Sequence, residues 1–431
     1  MHLLQVQTVS SVLLMVIRPV LSRFVLAACV LLCLYPLELL NADADDLETD
    51  PRSRFTLASI YCNQENWEAL RTLMPELKKE PLLKDLTHYF KGRLLLSENR
   101  IGSARREFEA ALKKRPEAMT GILDHIYFYK AYCLKALGQI ELAEASFDRA
   151  MDNDFKPENV SELIKLAEFL NLFQKPNQTI ALIDKYPKSL LEEHAALSAV
   201  LGRAYQMQNL HYMAIETFTQ SLEIDPSQFL TRTLRSNSFR QIGDLEHALE
   251  DIEAANALLP NQADQQFIHG LILFQMGRLK EAYGQFKGAE ETYKSDDSFL
   301  VLYASLSQAI GEDDSARWAL EHYKELSLSP PNKSAVLMNL FLNPSLNEDI
   351  SFDPHYSDAL FFRLYMRDRL SYKEVLSSSR DASISFYLAQ SEKQKENTAL
   401  YRELLIETLR RSKEQSPENL LALWQLNQKE E

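Results

Sequence analysis

The side chains that most often carry catalysis or bind metals are scattered through this 431-residue sequence. No two of its nine histidines stand four residues apart, and Cys62 and Cys133 are too distant from each other to form a cysteine-pair metal site. The phosphate-binding pattern GxxxxGK, the nucleophile turn GxSxG and the zinc helix HExxH do not occur. Acidic pairs such as Asp313-Asp314 fall in predicted turns, where carboxylates cap helices. We therefore expect no catalytic residues, no metal site and no cofactor.

Composition and charge narrow the class of protein and of partner. Hydrophobic residues make up 46 % and charged residues 25 % of the chain, which is typical of an ordered globular protein. Few glycines and prolines, with abundant Leu, Ala, Glu, Lys and Gln, favour an all-α fold. The formal net charge is −14, and no basic run is present that could neutralise phosphates. Nucleic acid is therefore not an expected partner.

A pattern with a period of 34 residues predicts the elements that position the polar side chains. Each copy has a small residue, a large apolar residue three positions later, often Gly four later, Ala five later, an aromatic or aliphatic residue four later, and a terminal Pro. About eight copies cover residues 50–330. The clearest span residues 85–118, 124–157, 195–228, 229–262, 263–296 and 297–330.

The spacing within each copy predicts two antiparallel helices. Only small side chains, such as Gly202 and Ala214 in one copy, allow two helices to cross at about 8 Å. A glycine at the fifteenth position, such as Gly243, permits the left-handed conformation that ends the first helix. Proline near the end, such as Pro226 or Pro260, stops the second helix. Because each pair leaves an apolar face uncovered, neighbouring pairs must stack.

Residues 1–44 are predicted to be an export signal or an N-terminal membrane anchor. Arg18 and Arg23 precede a largely apolar stretch from Phe24 to Leu40, and a small-x-small site allows cleavage after Ala44. A stretch of this length is also at the lower limit for a membrane-spanning helix, so both readings stay open. In either case the basic residues stay in the cytoplasm. We expect the rest of the chain to be exported, as a periplasmic protein or as one anchored in the inner membrane.

Residues 332–431 lose the 34-residue phase but keep helical periodicity. The pattern predicts helices within 358–376, 383–390 and 398–412, and a last short helix with Ser416 as its N-cap. We interpret this part as degenerate helical repeats and a C-terminal cap with one polar face.

The 34-residue copies resemble the tetratricopeptide-repeat (TPR) family over roughly two thirds of the chain. The resemblance implies a right-handed superhelical solenoid of antiparallel helix pairs with a helical C-terminal cap. It also implies a concave groove lined by positions 2, 5, 9, 12 and 13 of each unit. Transferred to this sequence, those positions give the candidate peptide-binding residues Tyr89, Arg93, Phe128, Tyr132, Lys135, Arg203, Gln206, Asn237, Arg240, Phe267 and Phe274.

Four of the predicted groove residues, Arg93, Lys135, Arg203 and Arg240, are basic, against one acid on the same wall, Asp264, in a chain with a surplus of acid. Basic groups interleaved with aromatic rings suit an extended segment that carries carboxylates and apolar side chains. The resemblance thus predicts a non-catalytic scaffold or adaptor at the cell envelope that binds a protein or peptide, with acidic segments as one candidate. The alternative is a structural subunit that forms homo-oligomers through its terminal repeats. An uncleaved N-terminal segment would add the membrane as a partner.

Overall fold

The computed structural model of the protein describes residues 51–79, 86–114, 122–326, 328, 332–342, 357–413 and 416–428. These residues form 23 α-helices and no strand, so the all-α prediction is confirmed for the described part of the chain. The predicted signal or anchor at residues 1–44 lies outside it. Among the helices that are described, none has the length and apolar character to cross a bilayer.

The chain divides into two compact units, Met1–Lys185 and Tyr186–Glu431, which we call unit 1 and unit 2. The helices of unit 1 are α1 (Pro51–Asn63), α2 (Trp67–Lys79), α3 (Thr87–Ser97), α4 (Ile101–Lys114), α5 (Leu123–Ala136), α6 (Ile140–Asp152), α7 (Val160–Leu172) and α8 (Pro176–Ile183). They pack in consecutive pairs, each first helix against the helix that follows it.

Unit 2 contains the four helix pairs that keep the 34-residue phase. Its helices are α9 (Ser189–Glu193), α10 (Ala195–Met207), α11 (His211–Ile224), α12 (Phe229–Gln241), α13 (Leu245–Leu258), α14 (Ala263–Gln275), α15 (Leu279–Tyr293), α16 (Asp297–Ile310), α17 (Asp313–Glu325), α18 (Lys333–Leu342), α19 (Ser357–Met366), α20 (Tyr372–Ser378), α21 (Ala382–Gln394), α22 (Thr398–Arg411) and α23 (Pro417–Asn427). The first helices of these four pairs begin at intervals of 34 residues; they are α10, α12, α14 and α16.

The crossing of each helix pair is set by the size of two facing side chains. A Cβ atom on Gly270 would lie 2.4 Å from Phe286 Cε1, and one on Gly202 would lie 2.6 Å from Phe218 Cδ1. In unit 1 a Cβ on Gly92 would meet Phe108 at 2.6 Å. Glycine in the first helix therefore makes room for a phenylalanine in the second, and both units use this device.

The turn inside a helix pair needs a residue in the left-handed conformation. Gly138, Gly243, Gly277 and Gly311 adopt φ between 74° and 89° there, as the fifteenth position of the pattern predicts. Asn209 takes the same place with φ 57° where glycine is absent. Asparagine tolerates this region better than other non-glycine residues, so the turn is kept.

The C-terminal hundred residues share one core with the last 34-residue pair. Buried side chains form a continuous cluster from Leu273 to Ala422. Helix α23 packs on α22 and also reaches α16, where Gln425 Nε2 donates to the Ala309 carbonyl at 3.3 Å. The boundary between the compact units thus lies inside the predicted array of residues 50–330, and residues 332–431 belong to unit 2.

Candidate functional site: the inner faces of the two units

The predicted groove residues lie on the first helices of both units. We call the surface formed by positions 2, 5, 9, 12 and 13 of those helices the inner face. Unit 1 contains Tyr89, Arg93, Phe128, Tyr132 and Lys135 of the predicted set. Unit 2 contains Arg203, Gln206, Asn237, Arg240, Phe267 and Phe274.

The inner face of unit 1 is built around a buried arginine. Arg93 on α3 is 3 % exposed, and its Nη1 donates to the Tyr89 hydroxyl at 2.8 Å. Its Nη2 donates to the Cys62 carbonyl of α1 at 3.4 Å, and its guanidinium lies 3.9 Å from the centre of the Tyr129 ring. The cation is therefore held by groups from three helices of its own unit.

Glu162 near the start of α7 supplies the negative charge that pairs with Arg93. Its carboxylate is fully buried and lies 3.5 Å from Arg93 Nη1, while the Tyr129 hydroxyl donates to it at 2.5 Å. The backbone amide of Glu158 donates to its other oxygen at 2.9 Å. Asn159 caps α7 by accepting from the Glu162 amide at 2.9 Å, which fixes the position of the glutamate.

A second cation, His125 on α5, completes the buried charge network. Its Nε2 lies 3.6 Å from Glu162 and its Nδ1 lies 3.1 Å from Asp124, both ion-pair distances. Burial alone would lower the pKa of His125, but these two carboxylates outweigh it and raise the pKa to about 10. Burial would raise the pKa of Glu162, but His125 and Arg93 outweigh it and hold the pKa at about 2. The network thus holds charged groups at neutral pH.

Aromatic packing fills the remainder of the inner face in unit 1. Phe128 is fully buried and stacks on Phe155 at 4.0 Å between ring centres. Tyr132 and Lys135 are only partly buried, and Lys135 Nζ donates to Glu168 at 2.9 Å. Of the five predicted residues, three are buried by packing within the unit: Tyr89, Arg93 and Phe128. A ligand cannot reach them in this structure.

The inner face of unit 2 presents cations without such partners. Arg203 on α10 is exposed, and Arg240 on α12 is partly buried. Neither arginine has a carboxylate within ion-pair distance among the residues that the structure describes. Burial lowers the pKa of Arg240, with no acid beside it to oppose the effect. By contrast Arg235, on another face of α12, forms a bidentate pair with Asp251 at 2.6 and 2.7 Å.

Two amide side chains fix the groups around these arginines. Asn237 Oδ1 accepts from Arg240 Nε at 3.1 Å and from Nη2 at 2.9 Å, which orients the guanidinium. Gln206 Nε2 donates to the Leu234 carbonyl at 2.7 Å and to Ser238 Oγ at 2.8 Å, so it links α10 to α12. We call Arg203, Gln206, Asn237 and Arg240 the open inner face, because its cations form no ion pair with the described residues of the unit.

The inner face does not continue unchanged through the rest of unit 2. Phe274 is buried, and Phe267 packs on Tyr293 with ring centres 4.6 Å apart. On α16 the inner-face residue Ser305 is buried and lies 3.5 Å from the Tyr387 hydroxyl of α21. The C-terminal helices therefore cover α16, and the two inner-face arginines without a neighbouring acid among the described residues lie on α10 and α12.

Comparison with known proteins agrees with this geometry at one repeat. The tetratricopeptide repeat family profile matches residues 124–157, the α5–α6 pair. The α5–α6 pair is therefore a tetratricopeptide repeat (TPR). Repeats of this kind are modules of protein-interaction scaffolds.

Relatives and solved structures cover this chain to different extents. The Protein STIP1 homolog of Dictyostelium discoideum is 27 % identical over 164 residues, or 34 % of this chain, and the match spans only 28 % of that relative. The structure of pilF from Pseudomonas aeruginosa has 17 % identity and a TM-score of 0.39, covering 51 % of this chain and 97 % of that one. A chain in the structure of the APC/C hetero-tetramer Cut9-Hcn1 has 15 % identity and a TM-score of 0.37, covering 88 % of this chain and 85 % of that one.

The repeat positions did not predict three members of the buried network, Glu162, Tyr129 and Asp124. Glu162 lies in the degenerate copy, where family positions transfer poorly. The one local signal was an Asn three residues before a Glu, the arrangement of a helix N-cap, at Asn159 and Glu162. That signal predicts a helix start but not a partner 69 positions away in the chain.

Proposed function

We propose that this protein is a non-catalytic TPR scaffold whose open inner face in unit 2 binds a segment of a partner protein that carries carboxylates. The observation that carries the proposal is a pair of arginines, Arg203 and Arg240, that lie on adjacent first helices with no acid beside either among the described residues. A chain with a net charge of −14 has many acids available, and unit 1 uses one to neutralise Arg93.

The chemistry of the open inner face suits a carboxylate. Guanidinium groups bind carboxylates through two parallel hydrogen bonds, and Arg240 is held in place by Asn237 before a ligand arrives. Because Arg240 is partly buried, its charge is less screened by water than that of a fully exposed arginine. Preorganisation and partial desolvation both favour binding of an acidic segment over a neutral one.

Reversing the charge of the open inner face should abolish partner binding. We would capture partners from the source cells with the full chain, purify a captured protein and measure its affinity for Arg203→Glu combined with Arg240→Glu. Placing like charges opposite each other costs several kcal/mol, so we expect the dissociation constant to rise by about a hundredfold or more. Raised salt should weaken wild-type binding in the same direction.

Two controls separate loss of charge from loss of fold. Arg402→Glu with Arg410→Glu reverses two exposed charges on α22 and should leave the affinity unchanged. Arg203→Gln with Arg240→Gln should weaken binding less than the glutamate pair. Wild-type affinity in the glutamate variant, with an unchanged helical circular-dichroism spectrum, would rule out the open inner face as the binding site.

We further propose that the scaffold works outside the cytoplasm, at the cell envelope. The proposal rests on the basic residues Arg18 and Arg23 and the apolar stretch that follows them. Sequencing the N-terminus of the native protein tests it. A start at Asp45 supports a cleaved signal, an intact N-terminus in the membrane fraction supports an anchor, and an intact N-terminus in the cytoplasmic fraction contradicts both.

A further inference from the structure

Unit 1 has a cavity at its surface that is separate from its inner face. The cavity has a volume of about 540 Å³ and lies between the first residues of α4 and the turn that joins α5 to α6. Its walls include Arg100, Arg105 and Arg106 on one side and Leu137 and Gln139 on the other. None of the described residues that line it is acidic.

The three arginines are only weakly neutralised within the described part of unit 1. Arg106 is exposed and donates to Ser103 Oγ at 3.2 Å, without a carboxylate beside it. Arg100 lies 3.4 Å from Glu98, but that glutamate is held more closely by Arg71 at 2.8 Å. Arg105 Nε is 3.8 Å from the nearest oxygen of Glu109, and its Nη1 donates to Gln139 at 3.1 Å. The cavity is thus locally positive on a strongly negative chain.

One exposed apolar side chain lines the cavity, and two more follow it in the sequence. Leu137, in the lining, is 42 % exposed, and Ile140 and Leu142, in the first turn of α6, are 42 % and 58 % exposed. A Cβ atom on Gly102, in the cavity wall, would meet nothing within 4 Å, so the backbone there can be approached closely. Exposed leucines and isoleucines that cluster beside a charged cavity mark an interaction surface more often than isolated ones do.

We propose that this arginine cavity and its apolar rim, Leu137, Ile140 and Leu142, form a second docking surface for an acidic segment of a partner protein that also carries apolar side chains. The arginines recognise carboxylates of the segment, and the rim buries its leucine-like side chains. Charge complementarity selects this chemistry, since a basic ligand would be repelled and a bare anion would leave the rim exposed. The proposal concerns unit 1 and does not depend on the open inner face of unit 2.

A matched set of short labelled peptides tests the chemistry with the full-length chain. The set keeps alternate leucines and fills the positions between them with glutamate, glutamine or lysine, and one further peptide combines glutamate with serine. We expect only the glutamate–leucine peptide to bind well in fluorescence anisotropy, about tenfold tighter than the glutamine–leucine and glutamate–serine peptides. Equal binding of all leucine peptides, or of both glutamate peptides, would overturn the proposal.

Surface variants locate the binding. Arg100→Glu with Arg106→Glu, and separately Leu137→Gln with Leu142→Gln, should each weaken binding of the glutamate–leucine peptide about tenfold or more. All four residues are exposed, so the helical spectrum should not change. If neither variant weakens binding, the peptide binds elsewhere and the proposal is wrong.

Matched controls lie in unit 2. Leu210→Gln with Met213→Gln changes two side chains, each 44 % exposed, at the corresponding turn of another helix pair, and should leave the affinity unchanged. The peptides are measured in an Arg203→Glu, Arg240→Glu background, which removes the open inner face as a second site for acidic segments. Loss of all peptide binding in that background would assign the peptide to the open inner face instead. Inorganic phosphate should not displace the peptide at equal ionic strength. Displacement by phosphate would show a simple anion site and contradict the role of the apolar rim.

Discussion

The two units are built from the same kind of helix pair, but their inner faces differ in whether the cations on them have an acidic partner. In unit 1 the cations Arg93 and His125 converge on the buried carboxylate of Glu162, and aromatic rings fill the space around them. In unit 2 Arg203 and Arg240 have no acid beside them among the described residues. Repeat position therefore does not by itself make a side chain available to a ligand. What decides it is whether a neighbouring helix of the same chain supplies the complementary charge.

Removing the carboxylate of unit 1 should have the largest effect on stability. Glu162→Gln removes the counter-charge of the buried Arg93 and leaves His125 with Asp124 as its remaining carboxylate, and breaking a buried pair in this way costs about 3–5 kcal/mol. Hydrogen exchange of unit 1 amides, together with urea unfolding, would measure this loss of stability. Arg203→Gln in unit 2 is the contrasting change and should shift stability by no more than about 0.5 kcal/mol. Similar small shifts for both variants would remove the distinction between the two inner faces.

The same network should make unit 1 sensitive to alkaline pH. The pKa of His125 is raised from 6.5 to about 10, so the stability it contributes is complete below pH 6.5 and is lost as the pH rises towards 10. The pKa of Glu162 is lowered from 4.5 to about 2, so its contribution is complete above pH 4.5 and is lost as the pH falls towards 2. Melting curves across this range should show the alkaline loss in the wild type.

His125→Gln supplies the control for the pH effect. This variant should be less stable at pH 6 than the wild type, and it should lack the part of the alkaline loss that comes from the imidazole. A wild type and variant whose stabilities fall in parallel above pH 6.5 would show that His125 is not the titrating group.

The helix crossings are where the two units should behave alike. Gly92→Ala in unit 1 and Gly270→Ala in unit 2 each push a Cβ into a phenylalanine ring, and we expect each to cost about 1–3 kcal/mol. Gly284→Ala on α15 meets nothing within 4 Å and should stabilise the helix by about 0.5–1 kcal/mol. Thermal unfolding of the three variants tests whether the two crossing variants lose stability while Gly284→Ala gains it. A loss of stability at only one of the two crossings would mean that the units do not share this packing.

The last expected effect, about 1 kcal/mol, concerns a buried amide of unit 2. Gln265 on α14 is 2 % exposed, and neither its side-chain oxygen nor its nitrogen has a partner within the described structure. The equivalent residue of the α10–α11 pair is Leu197, which is fully buried. We expect Gln265→Leu to stabilise the protein by about 1 kcal/mol, because an unsatisfied buried polar group is removed. A lower melting temperature would show that the amide has a role in the unit that packing alone does not explain.

The sequence by itself determined the helix pairs, because their signals are local. Gly243 and Gly277 must end a helix in the left-handed conformation, and a small residue must face a bulky one at each crossing, as Gly202 faces Phe218. These demands repeat every 34 residues and need no knowledge of distant contacts. The all-α fold and the helix starts in unit 2 follow from them.

Only the tertiary structure decided which inner-face residues are free. Arg93 and Arg240 occupy equivalent kinds of position, yet one meets Glu162 from a helix 69 residues away and the other meets no acid in the part of the chain described. The same holds for Ser305, which the C-terminal helices cover. Pairing between side chains that are distant in sequence depends on how helices stack, and a repeat pattern specifies the stacking surface without specifying the charges brought together across it.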